Sequence, residues 1–388
     1  MKIYWLFQHV NFIGGAEMVT TNIINLLSND YDITVVSNAE IIENIYEFNK
    51  NVKVVSLGVP NDLCRIDYFA KKYWDEHKFG KLLTLPFRIA YYYTIGRFKK
   101  RKKLLDMTTK DDLIIASSAD CFFLTSKKRT VAYHYHFNAK YFFGFSNYLL
   151  WKLVIKPDYF FFLTKTTYDT VMQRKPKAMK KESFYIYNPV RIEPKLNLKT
   201  NHNHLVFLGR YMHQKNPMLA MRVALELKKA SFPFTLDMYG GGNFYKEMLA
   251  FKEEHDLVEV TVHSMTNDVR GVLQDADLLL VTSVFEGHSL VIVEANSQSV
   301  PAITSNWGDA CNEIVIEGVN GYIIGSNKPQ DYANKIMDVL NNEEELLKLK
   351  KSSYESSFRF SSDEIRNSWL DVLKKIESDI NLEVKKDH

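Results

Sequence analysis

The 388-residue chain has only three cysteines, Cys64, Cys121 and Cys311, which lie far apart without metal-ligand spacing. That excludes a disulfide scaffold and fits a reducing compartment. Long apolar runs are also missing. The first strand-like run, Ile3 to Phe7, ends at Gln8 and is too short for a signal peptide. The longest apolar stretch, Tyr148 to Leu163, is broken by Lys152, Lys156, Pro157 and Asp158, so no membrane-spanning helix is expected. No charge of one sign dominates. A formal net charge of +4 is too weak to argue for nucleic acid, although it suits anionic substrates or an anionic membrane surface. No set of His, Cys and carboxylates is clustered as metal ligands, so no metal is expected. There is no solenoid period and no low-complexity tract.

What is present is the balance of a folded protein, 46% hydrophobic and 25% charged residues, in a chain long enough for two cores. Ile3 to Phe7, the turn Gly14-Gly15, a helical stripe of Val19, Ile23, Leu26 and Leu27, and then Asp32 to Ser37 read as a βαβ unit. Further strands are expected at Val52 to Leu57, Leu113 to Ser117, Thr130 to Tyr133 and Tyr159 to Thr164, with mostly helix from Ile66 to Met107. The alternation is cleaner in the second half, with strands at 204–209, 234–240, 258–263, 277–283 and 300–304 and helices at 217–230, 244–255, 268–274 and 288–299. Strands alternating with helices predict parallel sheets. Tyr187 to His204 reads as a linker. The expected domains are therefore residues 1–188 and 189–362, followed by an amphipathic helix over 363–388 that opens on the capping box Ser361/Glu364 and packs back toward the first domain.

The stretch from Thr282 to Val315 carries most of the functional signal. Glu286 falls in a turn before a helix, and the first amides of that helix, near Ser289, Leu290 and Val291, form an anion-binding start. Such a start contributes about 0.3–1 kcal/mol toward one anion, so a diphosphate needs cations as well. Arg210 and Lys215 follow the first strand of the same domain, where parallel strands direct their carboxyl ends toward one crevice. They can stabilise the charge that grows on a nucleoside-diphosphate leaving group. Taken as eight helical steps, Glu286 and Glu294 stand about 12 Å apart, a span that suits the sugar and the ribose of a donor. Carboxylates accept hydrogen bonds well from such hydroxyls.

Gly209-Arg210 with Lys215-Asn216, Tyr239-Gly240-Gly241-Gly242-Asn243, Phe285-Glu286-Gly287-His288-Ser289-Leu290, Glu294-Ala295, Glu313-Ile314-Val315 and Gly318-Val319-Asn320-Gly321 closely resemble, in order and spacing, the family-4 retaining glycosyltransferases. The resemblance implies the GT-B architecture: an α/β chain with two Rossmann-like, doubly wound parallel-sheet domains facing a central cleft, and a C-terminal helix. It implies that Glu286 contacts the transferred sugar, Glu294 the ribose, and Arg210 and Lys215 the diphosphate. Gly209, Gly240, Gly287, His288, Ser289, Leu290 and Val291 line the donor pocket, with Gly14 and Gly15 across the cleft and no metal needed. His136, in the run AYHYHFN, resembles the histidine near the sugar and is preferred to His134, and Glu17 and Asn138 fall on the acceptor side. Two departures stand out. His288 replaces the commoner Phe, and Gly308-Asp309 stands where Gly-Gly is frequent.

The expected function is a retaining, metal-independent transfer of a hexose or N-acetylhexosamine from a nucleotide sugar, UDP-linked, to a glycan or lipid-linked saccharide in cell-envelope or capsule synthesis. The nucleotide sugar is a co-substrate, and no cofactor is expected. The cations Arg97, Lys99, Lys100, Arg101, Lys102 and Lys103, beside Phe87, Tyr91, Tyr92, Tyr93 and Phe98, suit an anionic membrane surface at about 1 kcal/mol each. That gives a cytoplasmic enzyme, peripheral on the inner face of the membrane. Two alternatives stay open. One is a non-catalytic glycan-binding or chaperone subunit of the same fold, and the other is a sugar-nucleotide epimerase.

Overall fold

The computed structural model describes residues 1–12, 14–60, 63, 66–118, 129–136, 142, 157–174, 182–308 and 310–386, which form two compact units. The first comprises Met1–Leu163, Tyr168–Ile186 and Arg366–His388, the second Thr164–Thr167 and Tyr187–Ile365.

In the first unit the strands are β1 (Ile3–Phe7), β2 (Ile33–Ala39), β3 (Lys53–Val59), β4 (Leu113–Ala116), β5 (Thr130–Tyr135), β6 (Tyr159–Phe162) and β7 (Phe184–Tyr185). They form one parallel sheet in the order β3-β2-β1-β4-β5-β6-β7. Successive strand residues face opposite sides, which explains the near-continuous apolar runs of a sheet covered on both faces. Leu6, Tyr133, Tyr135, Phe160 and Phe162 build one core. On the other face Trp5, His134 and Phe161 receive Trp369, with ring centroids 5.4, 5.5 and 4.8 Å from it. Trp369 belongs to the helix Ser362–Lys386, which from Arg366 onward is part of this unit. Polar contacts hold the helix in place: Arg366 donates to both oxygens of Asp30 at 2.7 and 2.9 Å, and the Tyr159 hydroxyl donates to Asp379 at 2.8 Å.

The second unit has β8 (His204–Leu208), β9 (Thr235–Tyr239), β10 (Val260–His263), β11 (Leu278–Val281), β12 (Ala302–Ser305) and β13 (Gly321–Ile324), all parallel, in the order β10-β9-β8-β11-β12-β13. Alternation again sorts the strand residues. Leu205, Phe207, Leu278 and Leu280 pack under the helices Pro217–Lys229 and Pro329–Leu340, whereas Val206, Leu279, Val281 and Ala302 pack under Leu290–Ser297.

Each chain segment winds outward from a central strand and then returns to that strand's other side, so the order reverses between β1 and β4 and again between β8 and β11. Loops at the carboxyl ends of such a pair diverge and leave a crevice. Two glycines keep the β8 and β9 loops in contact. A Cβ on Gly240 would lie 2.0 Å from the Gly209 carbonyl oxygen, and Gly242 has φ +149° with a would-be Cβ 2.4 Å from the Tyr211 oxygen. The Tyr-Gly-Gly-Gly-Asn motif therefore brings the loop backbones together around Arg210.

Candidate functional site

The crevice between β8 and β11 collects most of the residues expected on the donor side. Lys215 lies just before the helix Pro217–Lys229, and its position is set by the loop hydrogen bond Lys215 N to Met212 O at 3.0 Å. Thr282, after β11, donates to the carbonyls of Lys215 and Asn216 at 3.0 and 2.9 Å, which ties the two loops together. Glu286 is buried in the following turn. Its Oε1 accepts from Lys215 Nζ at 2.5 Å and from Ser283 Oγ at 2.6 Å. With both bonds on Oε1, Oε2 is the acceptor left for a ligand.

Arg210 donates to Gln214 Oε1 at 3.1 Å; Gln214 Nε2 donates to the Phe285 carbonyl at 3.2 Å and Val284 N donates to Gln214 O at 2.8 Å. Gln214 and Ser283 are thus positioning residues that no motif in the sequence singles out. Their only sequence signal is adjacency, Gln214 between the two cations and Ser283 three residues before Glu286. A Cβ on Gly209 would press on Lys215 Cγ at 3.3 Å, which gives that glycine a packing role beside the cation.

The helix after Glu286 begins later than the sequence predicts, at Leu290, and ends at Ser297. Glu286, Gly287 and His288 lie outside it, so Glu286 and Glu294 are not separated by eight helical steps. Ser289 is the N-cap residue, and its carbonyl already accepts from Ile292 and Val293. The amides without an intrahelical acceptor are those of Leu290 and Val291. Beside them, both ring nitrogens of His288 and the hydroxyl of Ser289 are buried without a hydrogen-bond partner. Buried polar atoms left unpaired are costly, and three around one helix start are what a polar ligand would satisfy.

Burial pushes the His288 imidazole down to about 3, with Arg359 adding repulsion. The ring is neutral at neutral pH and lies edge-on to Phe360 at 5.5 Å. The stability this contributes is present above pH 6.5 and is lost as pH falls toward 3. His288→Phe, which installs the residue commoner in the resembled family, is therefore expected to stabilise the protein by about 1–3 kcal/mol at pH 7. The gain should widen at pH 5, and affinity for UDP should fall several-fold. Urea unfolding at the two pH values and calorimetric titration measure these effects.

Glu294 is buried inside the helix, and Arg191 holds it from Nε at 2.6 Å and Nη2 at 2.5 Å, both to Oε1. Desolvation raises the Glu294 carboxyl above its ordinary range, and Arg191 opposes that shift. The carboxylate, which accepts hydroxyl hydrogen bonds, exists above this pKa and is lost as pH falls through it. Arg191→Met should move that loss to higher pH, with UDP binding about tenfold weaker on the acid side and recovering as pH rises. A calorimetric pH series checks this.

The remaining expected positions are more dispersed. Gly14 is the N-cap residue of the helix Gly15–Leu27, and its amide already donates to the Tyr46 hydroxyl at 2.9 Å, so it is not free for a phosphate. Gly15 is exposed. Glu17 folds back over Gly14 and, with Phe7, Gln8, Thr20 and Ser117, lines a small hollow at the β1/β4 reversal. His136 follows β5 and its ring lies 4.2 Å from that of His134. His134 is the inner of the two, against Trp5 and Trp369, and burial brings His136 down to about 4. Asn138 lies outside the described residues. Glu313 accepts from the Tyr187 hydroxyl at 2.9 Å. Among the basic residues Lys100 departs from expectation: it is buried, with its ammonium 3.2 Å above the Tyr92 ring.

Two Asp-x-Asp runs occur, Asp30-Tyr31-Asp32 just before β2, where Asp30 is bonded by Arg366, and Asp275-Ala276-Asp277, which precedes β11 at the end opposite the crevice. Asp277 is fully buried, 3.6 Å from Lys350 and bonded by the amides of Asn201 and His204, which makes it structural. Among the described residues no group of three or more His, Cys, Asp or Glu is placed to hold a metal.

Residues 191–356 match the family described as Glycosyl transferases group 1. An uncharacterised glycosyltransferase of Methanocaldococcus jannaschii is 30% identical over 225 residues, 56% of this chain and 62% of that one. A Campylobacter jejuni enzyme named as an alpha-1,4-N-acetyl-D-galactosaminyltransferase acting on an undecaprenol-linked glycan is 20% identical across 97% of this chain and 99% of its own. The Anabaena HepE structure in complex with UDP and glucose superposes with a TM-score of 0.71 at 17% identity, covering 96% of this chain and 99% of that one. Residues 191–356 are a glycosyl transferases group 1 domain, and the chain as a whole has the GT-B fold.

Proposed function

We propose that the protein is a retaining, metal-independent glycosyltransferase that moves a hexose or N-acetylhexosamine from a UDP-sugar to a saccharide on a lipid carrier, in cell-envelope glycan synthesis. The observation that carries this reading is the crevice at the β8/β11 reversal, where the Lys215–Glu286–Ser283 cluster stands beside a helix start lined with unpaired buried groups. The pairing of Lys215 with Glu286 suits a donor because phosphate and sugar are joined through one oxygen. A cation for the first and an acceptor for the second must then stand next to each other. Leu290 and Val291 amides, Ser289 and His288 would take the remaining phosphate oxygens. Glu294, held by Arg191, would take the ribose hydroxyls.

In the proposed reaction the bond between the anomeric carbon and the phosphate oxygen breaks while the acceptor oxygen bonds to the same face of that carbon. The acceptor's proton passes to the departing phosphate. Lys215 and Arg210 stabilise the negative charge that develops there, in place of a metal ion. His136, half-buried just after β5 and neutral, and Glu17 would serve the catalytic and acceptor-binding roles that the family resemblance implies for them. The lipid-carrier reading is supported by the activity named for the Campylobacter relative and would put the enzyme at a cytoplasmic membrane surface.

Mass-spectrometric screening of UDP- and GDP-sugars against a cell-envelope lipid extract tests the reading, with product anomer assigned by NMR. A UDP-sugar should be consumed with retained configuration. No binding of any nucleoside diphosphate would instead favour the non-catalytic subunit, and isomerisation without an acceptor the epimerase.

A further inference from the structure

The helix Phe79–Tyr91, the π turn Tyr92–Gly96 and the helix Arg97–Met107 run on without a break. One face is internal, where Leu85 and Tyr92 are buried with Val59 and Leu63, and Ile89 packs against them. The other face carries Phe79, Leu83, Phe87, Tyr91, Ile95 and Phe98, which are 49, 75, 78, 49, 56 and 71% exposed. Trp74, 62% exposed, meets Phe79 edge-on at 5.9 Å and extends the patch.

At 100° per residue a four-residue spacing drifts about 40° per step around an α-helix. The wider π turn winds less per residue and brings Ile95 and Phe98 back toward the face of Leu83 and Phe87. The stripe is about 28 Å long. An apolar patch of this extent left in water marks an interaction surface.

Its charge identifies the occupant. From His77 to Leu105 the sequence has nine Lys or Arg and no Asp or Glu. Lys81, Lys99 and Lys102 are exposed. Two copies paired through this face would set cations against cations, with acids only at its ends at Asp75, Glu76 and Asp106, which disfavours self-association. Among the described residues no helix is long and apolar enough to cross a membrane, so a bilayer contact here lies in the plane of the interface.

We infer that this face docks on an anionic lipid bilayer, with Leu83, Phe87, Ile95 and Phe98 entering the headgroup boundary and Lys81, Lys99 and Lys102 meeting the lipid phosphates. The inference deepens the membrane side of the function proposed above but rests on none of its chemistry. It also moves the contact from the basic run as a whole to the apolar stripe, since Lys100 is internal and Lys103 donates to the Ser56 carbonyl at 2.7 Å.

Co-sedimentation of the full chain with phosphatidylcholine vesicles, alone or with about a third phosphatidylglycerol, tests it. The wild type should partition about tenfold better onto the anionic vesicles. Leu83→Ser with Phe87→Ser and Ile95→Ser should lower that partition about a hundredfold while leaving UDP affinity unchanged, which separates lost docking from lost folding and from the donor-site reading. Lys99→Gln with Lys102→Gln should lower it about tenfold on anionic vesicles only. Equal binding of wild type and both variants overturns the inference. So does a concentration-dependent dimer that the apolar variant dissolves, with no vesicle binding by the wild type.

Discussion

Glu286→Gln should lower turnover about a thousandfold, close to 4 kcal/mol of barrier, with little change in fold or in UDP affinity. The expected size follows from the hydrogen-bond geometry. Lys215 and Ser283 both donate to Oε1, so the amide oxygen of a glutamine must occupy that position. Its NH2 then stands where Oε2 was and presents a donor to a sugar hydroxyl that needs an acceptor. The negative charge beside Lys215 disappears as well. Steady-state kinetics with the donor and acceptor found in the screen check this, together with calorimetry for UDP. Wild-type turnover by the variant would remove Glu286 from the chemistry.

Lys350→Ala should destabilise the protein by about 3–5 kcal/mol without touching the donor crevice. Lys350 and Asp277 are both fully buried, Nζ also donates to the Ala276 carbonyl at 3.0 Å, and removing the ammonium leaves a buried carboxylate without a counter-ion. The amides of Asn201 and His204 still hold Asp277, which sets the loss below that of an isolated buried charge. Lys350→Met with Asp277→Asn removes both charges and should recover most of the stability. Urea unfolding of the single and double variants decides it, and an additive double variant would show that the two charges do not depend on each other.

Much of the architecture was readable from local pattern. Apolar runs of strand length separated by helical stripes predict β1 and β8 nearly to the residue, because a strand buried on both faces leaves no place for polar residues. The short strands β7 and β13 gave no comparable signal: the first is two residues long and the second opens on Gly321. The helix start at Leu290 was misplaced by two residues. Val284, Phe285 and Glu286 are held in the preceding turn by hydrogen bonds with Gln214 and Lys215, which no local propensity encodes.

The candidate site divides in the same way. The sequence by itself singled out the residues proposed for the donor side, since Arg210, Lys215, Glu286 and Glu294 sit in motifs whose spacing is recognisable along the chain. Their partners came only from tertiary structure. Lys215 meets Glu286 across 71 residues, Arg191 meets Glu294 across 103, and Lys350 answers Asp277 from a distant helix. The same holds for the basic run, where composition shows the cations but burial decides that Lys100 is internal while Phe87 and Phe98 face outward. Local pattern follows from which side of a helix or strand must avoid water. The pairing of buried charges depends on which elements the sheet order brings together, and that order is a property of the whole fold.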